Sequence, residues 1–332
     1  MSRSEPTEPV DRSTPPPLLE VAGLTIAPQR GRPLVDDLSF SVAAGSVTAL
    51  VGESGSGKST ACAAVVGLLA ENLQVTGGAI RFDGADITRL SGHALRKLRG
   101  ARIGVVLQDS MASLNPVRSI GYQLGETRRI HRMEPRDATR GWARRVLAQL
   151  GFTSPHRAAR SFPVELSGGM RQRVCIGIGF SAEPQLVIAD EPTTALDTSL
   201  QERILRLLLR YRDELGTGVL LVSHDVGVVR AVADHVVVLY GGRMLEAGPA
   251  GAVLTAPASP YTAALLRSVP AVDPATRGEP LPTIPTGPIA AAGCPFAPRC
   301  ARALPKCHDT PPEAEEPEPG HRVWCWNPEE TR

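Results

Sequence analysis

This chain has few aromatic residues, no large excess of one charge and no long apolar run. Phe, Trp and Tyr make up 4% of its 332 residues, and 36 Lys and Arg nearly balance 34 Asp and Glu. A formal net charge of +2 argues against a nucleic-acid-binding protein that depends on bulk positive charge. No apolar run approaches the roughly eighteen residues that a membrane-spanning helix needs. We therefore expect a soluble protein without a nucleic-acid partner.

The N-terminal segment also lacks the apolar core of a secretory signal. Residues 1–17, MSRSEPTEPVDRSTPPP, are rich in Ser, Thr, Glu and Pro, a composition typical of a disordered tail. These absences predict a cytosolic protein that works at a membrane only if another chain holds it there.

The rest of the chain has the pattern of an α/β protein. Hydrophobic residues make up 42% of the sequence, enough for a full core. Residues 18–256 alternate β-branched runs with helical patterns. The strand signal disappears after Pro116, which predicts a helical subdomain over about 116–170, with Gly151 ending one helix. Residues 257–332 form a Pro-rich extension, with a short helix expected in SPYTAALLRSVP (259–270). The strand candidates are VTALV (47–51), IGVVL (103–107), QLVIAD (185–190), GVLLVS (218–223) and HVVVLY (235–240).

The motif GESGSGKST, which directly follows VTALV, predicts a phosphate-binding loop. Its glycines let backbone N–H groups turn inward around phosphates, and a helix N-terminus adds partial positive charge. Lys58 would reach the β- and γ-phosphates, and the Ser59 hydroxyl would bind Mg²⁺. A flexible Gly/Ser linker is the alternative, but a strand before and a helix after disfavour it. The residues assigned to the nucleotide are Gly52, Ser54, Gly55, Gly57, Lys58, Ser59 and Thr60.

The motif LVIADEPTTALD places two acids at the carboxyl end of an apolar strand. That edge of a parallel sheet is the usual ligand site, so both acids would face the phosphate loop. Asp190 would hold Mg²⁺ through water, and Glu191 would polarise the attacking water. Without the phosphate loop, a turn followed by a helix cap would explain the pair equally well.

The motif LSGGMRQR predicts a second phosphate site on the same chain. Ser167 can cap a helix, while Gly168 and Gly169 leave backbone N–H groups facing outward. One nucleotide does not need both sites. A head-to-tail dimer, in which this site closes over ATP held by the partner, resolves the redundancy. An ordinary capped helix remains the alternative.

Taken in order, these motifs resemble the ATP-binding-cassette ATPases that drive transporters. The resemblance runs from about residue 18 to 266 and implies a P-loop NTPase core with a mixed sheet and a helical subdomain. It implies that Gln108 in VVLQD senses Mg²⁺ and the membrane subunit, and that His224 in LVSHD contacts the γ-phosphate. Asp197, which closes TALD, matches the loop that crosses the dimer interface. A soluble ABC ATPase is the main alternative.

Finer motifs resemble the ATPases of oligopeptide, dipeptide and nickel importers, in particular their D-type subunit. They are QDSMASLNPVRSIG, ELSGGMRQR, ADEPTTALD and SPYTAALL. The resemblance implies ATP and Mg²⁺, a second ATPase subunit in a heterodimer, two membrane permease subunits and an extracytoplasmic binding protein. It places the chain on the cytoplasmic face of the cell membrane as a peripheral subunit. Peptides are favoured over nickel or another small solute as the cargo.

One departure from the family concerns adenine. The family usually stacks the base on an aromatic residue after the first strand, but no aromatic residue precedes Phe40. Ala27 and Pro28 occupy the expected place. Because base–aromatic stacking contributes about 1–3 kcal/mol, adenine binding would depend more on the phosphate contacts. The adenine contact is left unassigned.

Four of the six cysteines lie in the C-terminal extension, spaced C-x₅-C-x₆-C-x₁₇-C. Cys62 and Cys175 fall in apolar helical stretches and are expected in the core. Structural zinc sites favour closer cysteine pairs, whereas four thiolates also suit a [4Fe–4S] cluster. The extension resembles the cysteine motif of peptide-importer ATPases, for which that cluster is the implied ligand. Zinc and unliganded thiols are the alternatives. The cysteines concerned are Cys294, Cys300, Cys307 and Cys325.

Overall fold

The computed structural model describes residues 16–107, 113–131, 136–193, 196–268 and 283–329. The predicted tail up to residue 15, and Gln108, therefore lie outside the described residues. No helix in the described ranges is both long and apolar enough to cross a bilayer.

Strands and helices alternate along most of the described chain. The strands are β1 (Leu19–Pro28), β2 (Val35–Val42), β3 (Val47–Val51), β4 (Leu73–Phe82), β5 (Ala85–Asp86), β6 (Ile103–Val106), β7 (Leu186–Asp190), β8 (Gly218–Val222), β9 (His235–Tyr240), β10 (Arg243–Pro249), β11 (Ala314–Glu318) and β12 (His321–Trp324). The helices are α1 (Lys58–Val65), α2 (Gly92–Leu98), α3 (Ile120–Leu124), α4 (Glu126–Ile130), α5 (Arg136–Gln149), α6 (Pro155–Arg160), α7 (Gly168–Gly179), α8 (Thr198–Leu215), α9 (Val226–Val232), α10 (Ala250–Thr255) and α11 (Pro260–Arg267).

A mixed sheet of eight strands forms the centre of the protein, in the order β11-β12-β10-β9-β3-β8-β7-β6. The five strands from β9 to β6 in this order are parallel, and β3, β7 and β8 are buried along their whole length. Runs of Val, Leu and Ile suit such positions because both faces of the sheet are covered. The predicted α/β fold and its five strand candidates are confirmed.

A second, antiparallel sheet of four strands, in the order β2-β1-β4-β5, packs beside the first. Buried residues of both sheets form one apolar cluster, which includes Leu24 and Phe82 of the second sheet with Leu50 and Leu220 of the first. The loop after β3 lies against both sheets: a Cβ built on Gly57 would lie 3.0 Å from the Val35 side chain of β2, and one built on Gly52 would lie 2.1 Å from the carbonyl oxygen of Leu239 in β9.

The described residues between β6 and β7 form helices and no strand. Helix α5 ends before Gly151, whose φ of 82° is the left-handed conformation that glycine favours at a helix end. Trp142 and Leu147 of α5 pack with Leu124 and Val174 in the core. This is where the sequence predicts a helical subdomain, and its exact bounds stay a prediction.

The C-terminal extension joins the central sheet instead of folding apart from it. Strand β12 pairs antiparallel with β10, with Glu246 opposite Val323, and β11 pairs with β12. The Glu246 carboxylate is fully buried; His321 Nε2 lies 2.7 Å from Glu246 Oε1, and the N–H groups of Ala258 and Ser259 donate to the same carboxylate. Helix α11 confirms the helix predicted after Ser259.

Candidate functional site

The loop after β3 turns sharply because glycines occupy its strained positions. Gly52 has a φ of 149°, and a Cβ atom there would lie 2.1 Å from the carbonyl oxygen of Leu239. Gly57, with a φ of 99°, is the N-cap of α1, so the N-terminus of this helix opens onto the loop. The loop has the backbone conformation of a phosphate-binding turn, and the partial positive charge of the α1 N-terminus lies beside it.

Lys58 is buried inside this loop. Its Nζ donates to the carbonyl oxygens of Gly52 (2.7 Å) and Glu53 (2.8 Å), and lies 3.2 Å from Ser56 Oγ. Burial lowers the pKa of Lys58, although the carboxylates of Glu191 and Asp190 oppose that shift. The ammonium group is thus partly desolvated and close to both acids, where an anionic phosphate would stabilise its charge.

The strand β7 brings Asp190 opposite α1. The Ser59 hydroxyl donates to Asp190 Oδ1 over 3.1 Å. Burial raises the pKa of Asp190, while the hydrogen bond from Ser59 opposes this. Because burial outweighs the attraction of the nearby Lys58, an added cation would stabilise the Asp190 carboxylate, and two oxygen ligands at this spacing suit Mg²⁺.

Glu191 follows β7 and contacts His224, which follows β8. The backbone N–H of Glu191 donates to the carbonyl of Val222, and its φ is 47°, an uncommon value outside glycine. His224 Nδ1 lies 3.0 Å from Glu191 Oε1. The sequence assigns the two residues separate roles; the structure shows that they form one hydrogen-bonded pair beside Lys58 and Asp190.

Gln172 of LSGGMRQR is a residue that sequence reasoning missed. It is buried, and its Nε2 donates to the carbonyls of Pro192 (2.7 Å) and Glu191 (3.4 Å). Helix α7 is therefore attached to the turn that carries the acidic pair. The only signal in the sequence is that Gln172 belongs to LSGGMRQR, a motif whose serine and glycines carry the predicted phosphate contacts.

The remaining predicted nucleotide residues lie at the surface. Ser167 caps α7 by accepting from the Met170 N–H (3.4 Å), and no atom lies within 4 Å of a Cβ built on Gly168. Asp197 caps α8 by accepting from the Leu200 N–H at 2.9 Å. Among the hydrogen bonds of the described ranges, none joins Ser167, Gly168 or Gly169 to the phosphate loop. The hydrogen bonds of the described residues therefore do not join the predicted second phosphate site to the phosphate loop of the same chain.

The prediction of a [4Fe–4S] cluster is wrong. Among the described residues, which include all four extension cysteines, no group of His, Cys, Asp and Glu side chains is arranged to hold a metal ion. The same finding leaves the zinc alternative without support. Cys294, Cys300, Cys307 and Cys325 are free thiols around an apolar space of about 20 Å³, enough for about one water molecule.

Burial also raises the pKa of three of these thiols. It raises the pKa of Cys294 and Cys300, and raises the pKa of Cys325 to about 11. Because metals bind the thiolate and not the thiol, such an environment disfavours ligation. Cys294 and Cys300 pack against the core cluster that contains Tyr261 and Phe296, and all four cysteines line the same small space as those two rings. Cys62 and Cys175 are buried in helices, as expected.

Two family profiles match the chain. The family described as "ABC transporter" matches residues 35–194, and "Oligopeptide/dipeptide transporter, C-terminal region" matches residues 245–307. Among solved structures, a dimeric ATP-binding cassette, MJ0796, in a post-hydrolysis state with ADP and Pi, is 26% identical with a TM-score of 0.64, covering 70% of this chain and 98% of that one. CbiO1 of Clostridium perfringens is 29% identical with a TM-score of 0.61, covering 71% and 90%.

Curated relatives are more similar in sequence. The "Oligopeptide transport ATP-binding protein OppD" of Mycobacterium bovis is 43% identical over 319 residues, which cover 93% of this chain and 52% of the relative. The chain thus spans about half the length of that protein. A "Putative peptide import ATP-binding protein" of Brucella melitensis is 42% identical over 327 residues, 93% and 96% of the two chains. OppD of Escherichia coli is 41% identical, with 89% and 88% covered.

Proposed function

The chain belongs to the ABC transporter family of ATP-binding proteins, and from that premise we propose that it hydrolyses ATP to drive the import of oligopeptides. The observation that carries the proposal is the convergence of Lys58, Ser59, Asp190, Glu191 and His224 at one edge of the central sheet. The match of residues 245–307 to the C-terminal region of oligopeptide and dipeptide transporters supports the choice of cargo.

In this proposal the phosphate loop and Lys58 bind the β- and γ-phosphates of ATP. The N–H groups of the loop, with those at the N-terminus of α1, donate to phosphate oxygens. Three further residues would contact the phosphates: Ser54 and Gly55, which are exposed in the loop, and Thr60, which is partly buried in the first turn of α1. Lys58 exchanges its hydrogen bonds to loop carbonyls for bonds to phosphate oxygens, which restores the charge balance that burial disturbs.

The Ser59 hydroxyl and the Asp190 carboxylate would hold Mg²⁺, Asp190 through a bound water. When bound, Mg²⁺ would neutralise charge on the β- and γ-phosphate oxygens. The hydrogen bond between Ser59 and Asp190 supports this assignment, because it places the two oxygen ligands side by side. Gln108 is proposed as a further ligand on the resemblance alone.

Glu191 is proposed to orient the attacking water and accept its proton. The water oxygen attacks the γ-phosphorus, the bond from that phosphorus to the bridging oxygen breaks, and its electron pair leaves with ADP. His224 positions the Glu191 carboxylate through the 3.0 Å contact, and it is assigned to the γ-phosphate by resemblance. Glu191 is mostly buried and His224 mostly exposed, so the pair connects the interior of the site to its open side.

We further propose that Ser167, Gly168 and Gly169 act on ATP held by a second ATPase subunit. Ser167 and Gly168 are exposed, and the space beside Gly168 is open, as a surface that closes on a partner requires. Asp197 would lie at the same interface. The dimeric state of the similar cassette MJ0796 supports a pair of ATPase subunits, and the resemblance favours a head-to-tail heterodimer.

In the cell, the chain would lie on the cytoplasmic face of the membrane, bound to two permease subunits. A binding protein outside would deliver the cargo. The names of the relatives, which refer to oligopeptide transport and peptide import, favour peptides over nickel.

The test is coupled hydrolysis in the assembled transporter. The chain would be reconstituted in liposomes with its permease subunits and second ATPase, and ATP turnover measured with binding protein added outside. Peptide-loaded binding protein should stimulate hydrolysis several-fold, while ligand-free binding protein should not. Stimulation by nickel-loaded but not peptide-loaded protein would contradict the cargo. Failure of the chain to associate with any permease would favour a soluble ABC ATPase.

A further inference from the structure

A side chain of the C-terminal extension reaches the phosphate loop. Arg299 ends a short 3₁₀ turn, Ala297–Arg299, and its Nη1 and Nη2 donate to the two carboxylate oxygens of Glu53, each over 2.8 Å. Glu53 is the second residue of GESGSGKST. A bidentate, charge-assisted pair of this kind is both strong and directional.

Arg299 is itself fixed in place. Its Nη1 also donates to Tyr240 Oη over 2.8 Å, and its Nε donates to the carbonyl of Pro285. The guanidinium carbon lies 5.3 Å from the centre of the Tyr240 ring. Only 10% of the side chain is exposed, so the guanidinium group has little freedom to leave Glu53 for solvent.

Glu53 connects this arginine to the lysine of the loop. Its backbone N–H donates to Tyr261 Oη over 3.0 Å, and its carbonyl accepts from Lys58 Nζ over 2.8 Å. Tyr240, Tyr261 and Phe296 pack together, with ring centres 4.8–5.2 Å apart. A movement of Glu53 would therefore change the position of Lys58.

The charge of Glu53 adds a second consequence. A carboxylate in a loop that binds triphosphate repels the phosphate oxygens, and Arg299 offsets that repulsion. The hydrogen bond to Glu53 raises the pKa of Arg299, which keeps the guanidinium charged. Removing Arg299 would leave Glu53 as an unpaired, half-buried acid beside the nucleotide.

We propose that Arg299 is a positioning residue for nucleotide binding, through which the C-terminal extension fixes Glu53 and sets the ATP affinity of the phosphate loop. The inference rests on the proposed function, because it assigns a role at the ATP site. It makes the extension part of that site.

The experiment compares two arginines of the extension in the full chain. Arg299→Ala should weaken binding of a fluorescent ATP analogue about 10-fold, because a charge-assisted bidentate contact is lost. Arg302→Ala is the matched control, since Arg302 bonds only within the extension, to Glu329, Asn327 and Pro328, among the described residues. It should change affinity less than about 2-fold.

A rescue variant separates positioning from folding. Arg299→Ala combined with Glu53→Gln removes the unpaired charge and should bind the analogue more tightly than Arg299→Ala alone, while Arg299→Lys should be intermediate. Thermal unfolding of each variant checks that it is folded. If Arg299→Ala does not fold, Arg299→Lys replaces it in the comparison with Arg302→Ala. Equal losses in the Arg299 and Arg302 variants, or no rescue by Glu53→Gln, would overturn the role of Arg299. Failure of the unsubstituted chain to bind the analogue would instead contradict the proposed function.

Discussion

At the end of β7, a left-handed backbone conformation places the Glu191 carboxylate against His224. At the scale of single residues, this contact leads to the first prediction. Glu191→Gln keeps the size of the side chain but removes the proton acceptor, so ATP turnover should fall by about 10² to 10⁴-fold while ATP still binds. Phosphate release by the reconstituted complex measures the first effect, and nucleotide binding the second. Turnover at the unsubstituted rate would show that Glu191 is not the base.

Cys325 provides a prediction about pH. Its raised pKa, about 11, means that the thiolate is scarce below that pH and becomes abundant only as pH approaches it. At pH 8, iodoacetamide should modify Cys325 on the order of 100-fold more slowly in folded than in urea-unfolded protein. The native rate should rise with pH toward 11. Mass spectrometry of the Cys325 peptide measures both rates, and rapid native labelling at pH 8 would contradict the protected thiol.

The sequence was informative about single residues only where a motif carries its own geometry. The phosphate loop is contiguous, so Lys58 and Ser59 could be assigned from spacing. Contacts between distant segments cannot be predicted from the sequence. Arg299 contacts Glu53 across 246 positions, and Gln172 contacts Pro192 only because the chain folds. The [4Fe–4S] prediction is wrong for a related reason: the spacing of the four cysteines does not reveal that they line a small apolar space with no arrangement for a metal ion among the described residues.

At the scale of elements, the Glu246–His321 contact ties three of them together. The buried carboxylate accepts bonds from the residues before α11 and contacts His321 of β12. Glu246→Ala would leave these polar groups unpaired in the core, so the free energy of unfolding should fall by about 3–5 kcal/mol. Glu202→Ala, which removes an exposed pair with Arg206 on α8, should cost less than about 0.5 kcal/mol. Urea unfolding measures the loss of stability in each variant. Equal losses would contradict a stabilising role for the buried Glu246 carboxylate.

Strands buried on both faces can be predicted from the sequence, since continuous apolar runs are typical of parallel strands. The hairpin of β11 and β12 cannot be predicted in this way. AEEPE has the composition of a loop, and only pairing to β12 makes it a strand. Helix α11 was predictable because a Ser-Pro start and an apolar stripe are local signals.

At the scale of the whole molecule, the comparisons confirm the resemblance to peptide-importer ATPases, while the assembly remains a proposal. The head-to-tail arrangement predicts that Ser167→Arg leaves nucleotide binding by the isolated subunit within about 2-fold, because within the described part of the chain no hydrogen bond joins Ser167 to its own phosphate loop. Hydrolysis by the assembled transporter should fall at least 10-fold, since a bulky cation would occupy the surface that closes on the partner's ATP. Fluorescence titration of the subunit and turnover of the complex are the two measurements. Loss of binding by the isolated subunit would place Ser167 in its own nucleotide pocket.

The outermost strand of the central sheet, β11, bears on whether chains of this protein associate with one another through the sheet edge. An open sheet edge is a template for aggregation. Here the β10 edge is covered by β12, and β11 then ends the sheet with three glutamates and a proline, all exposed. Pro317 cannot donate a ladder hydrogen bond, and the glutamates repel an identical strand. We therefore expect the exposed glutamates and Pro317 of β11 to disfavour edge-to-edge association, so that chains without this strand should precipitate more readily.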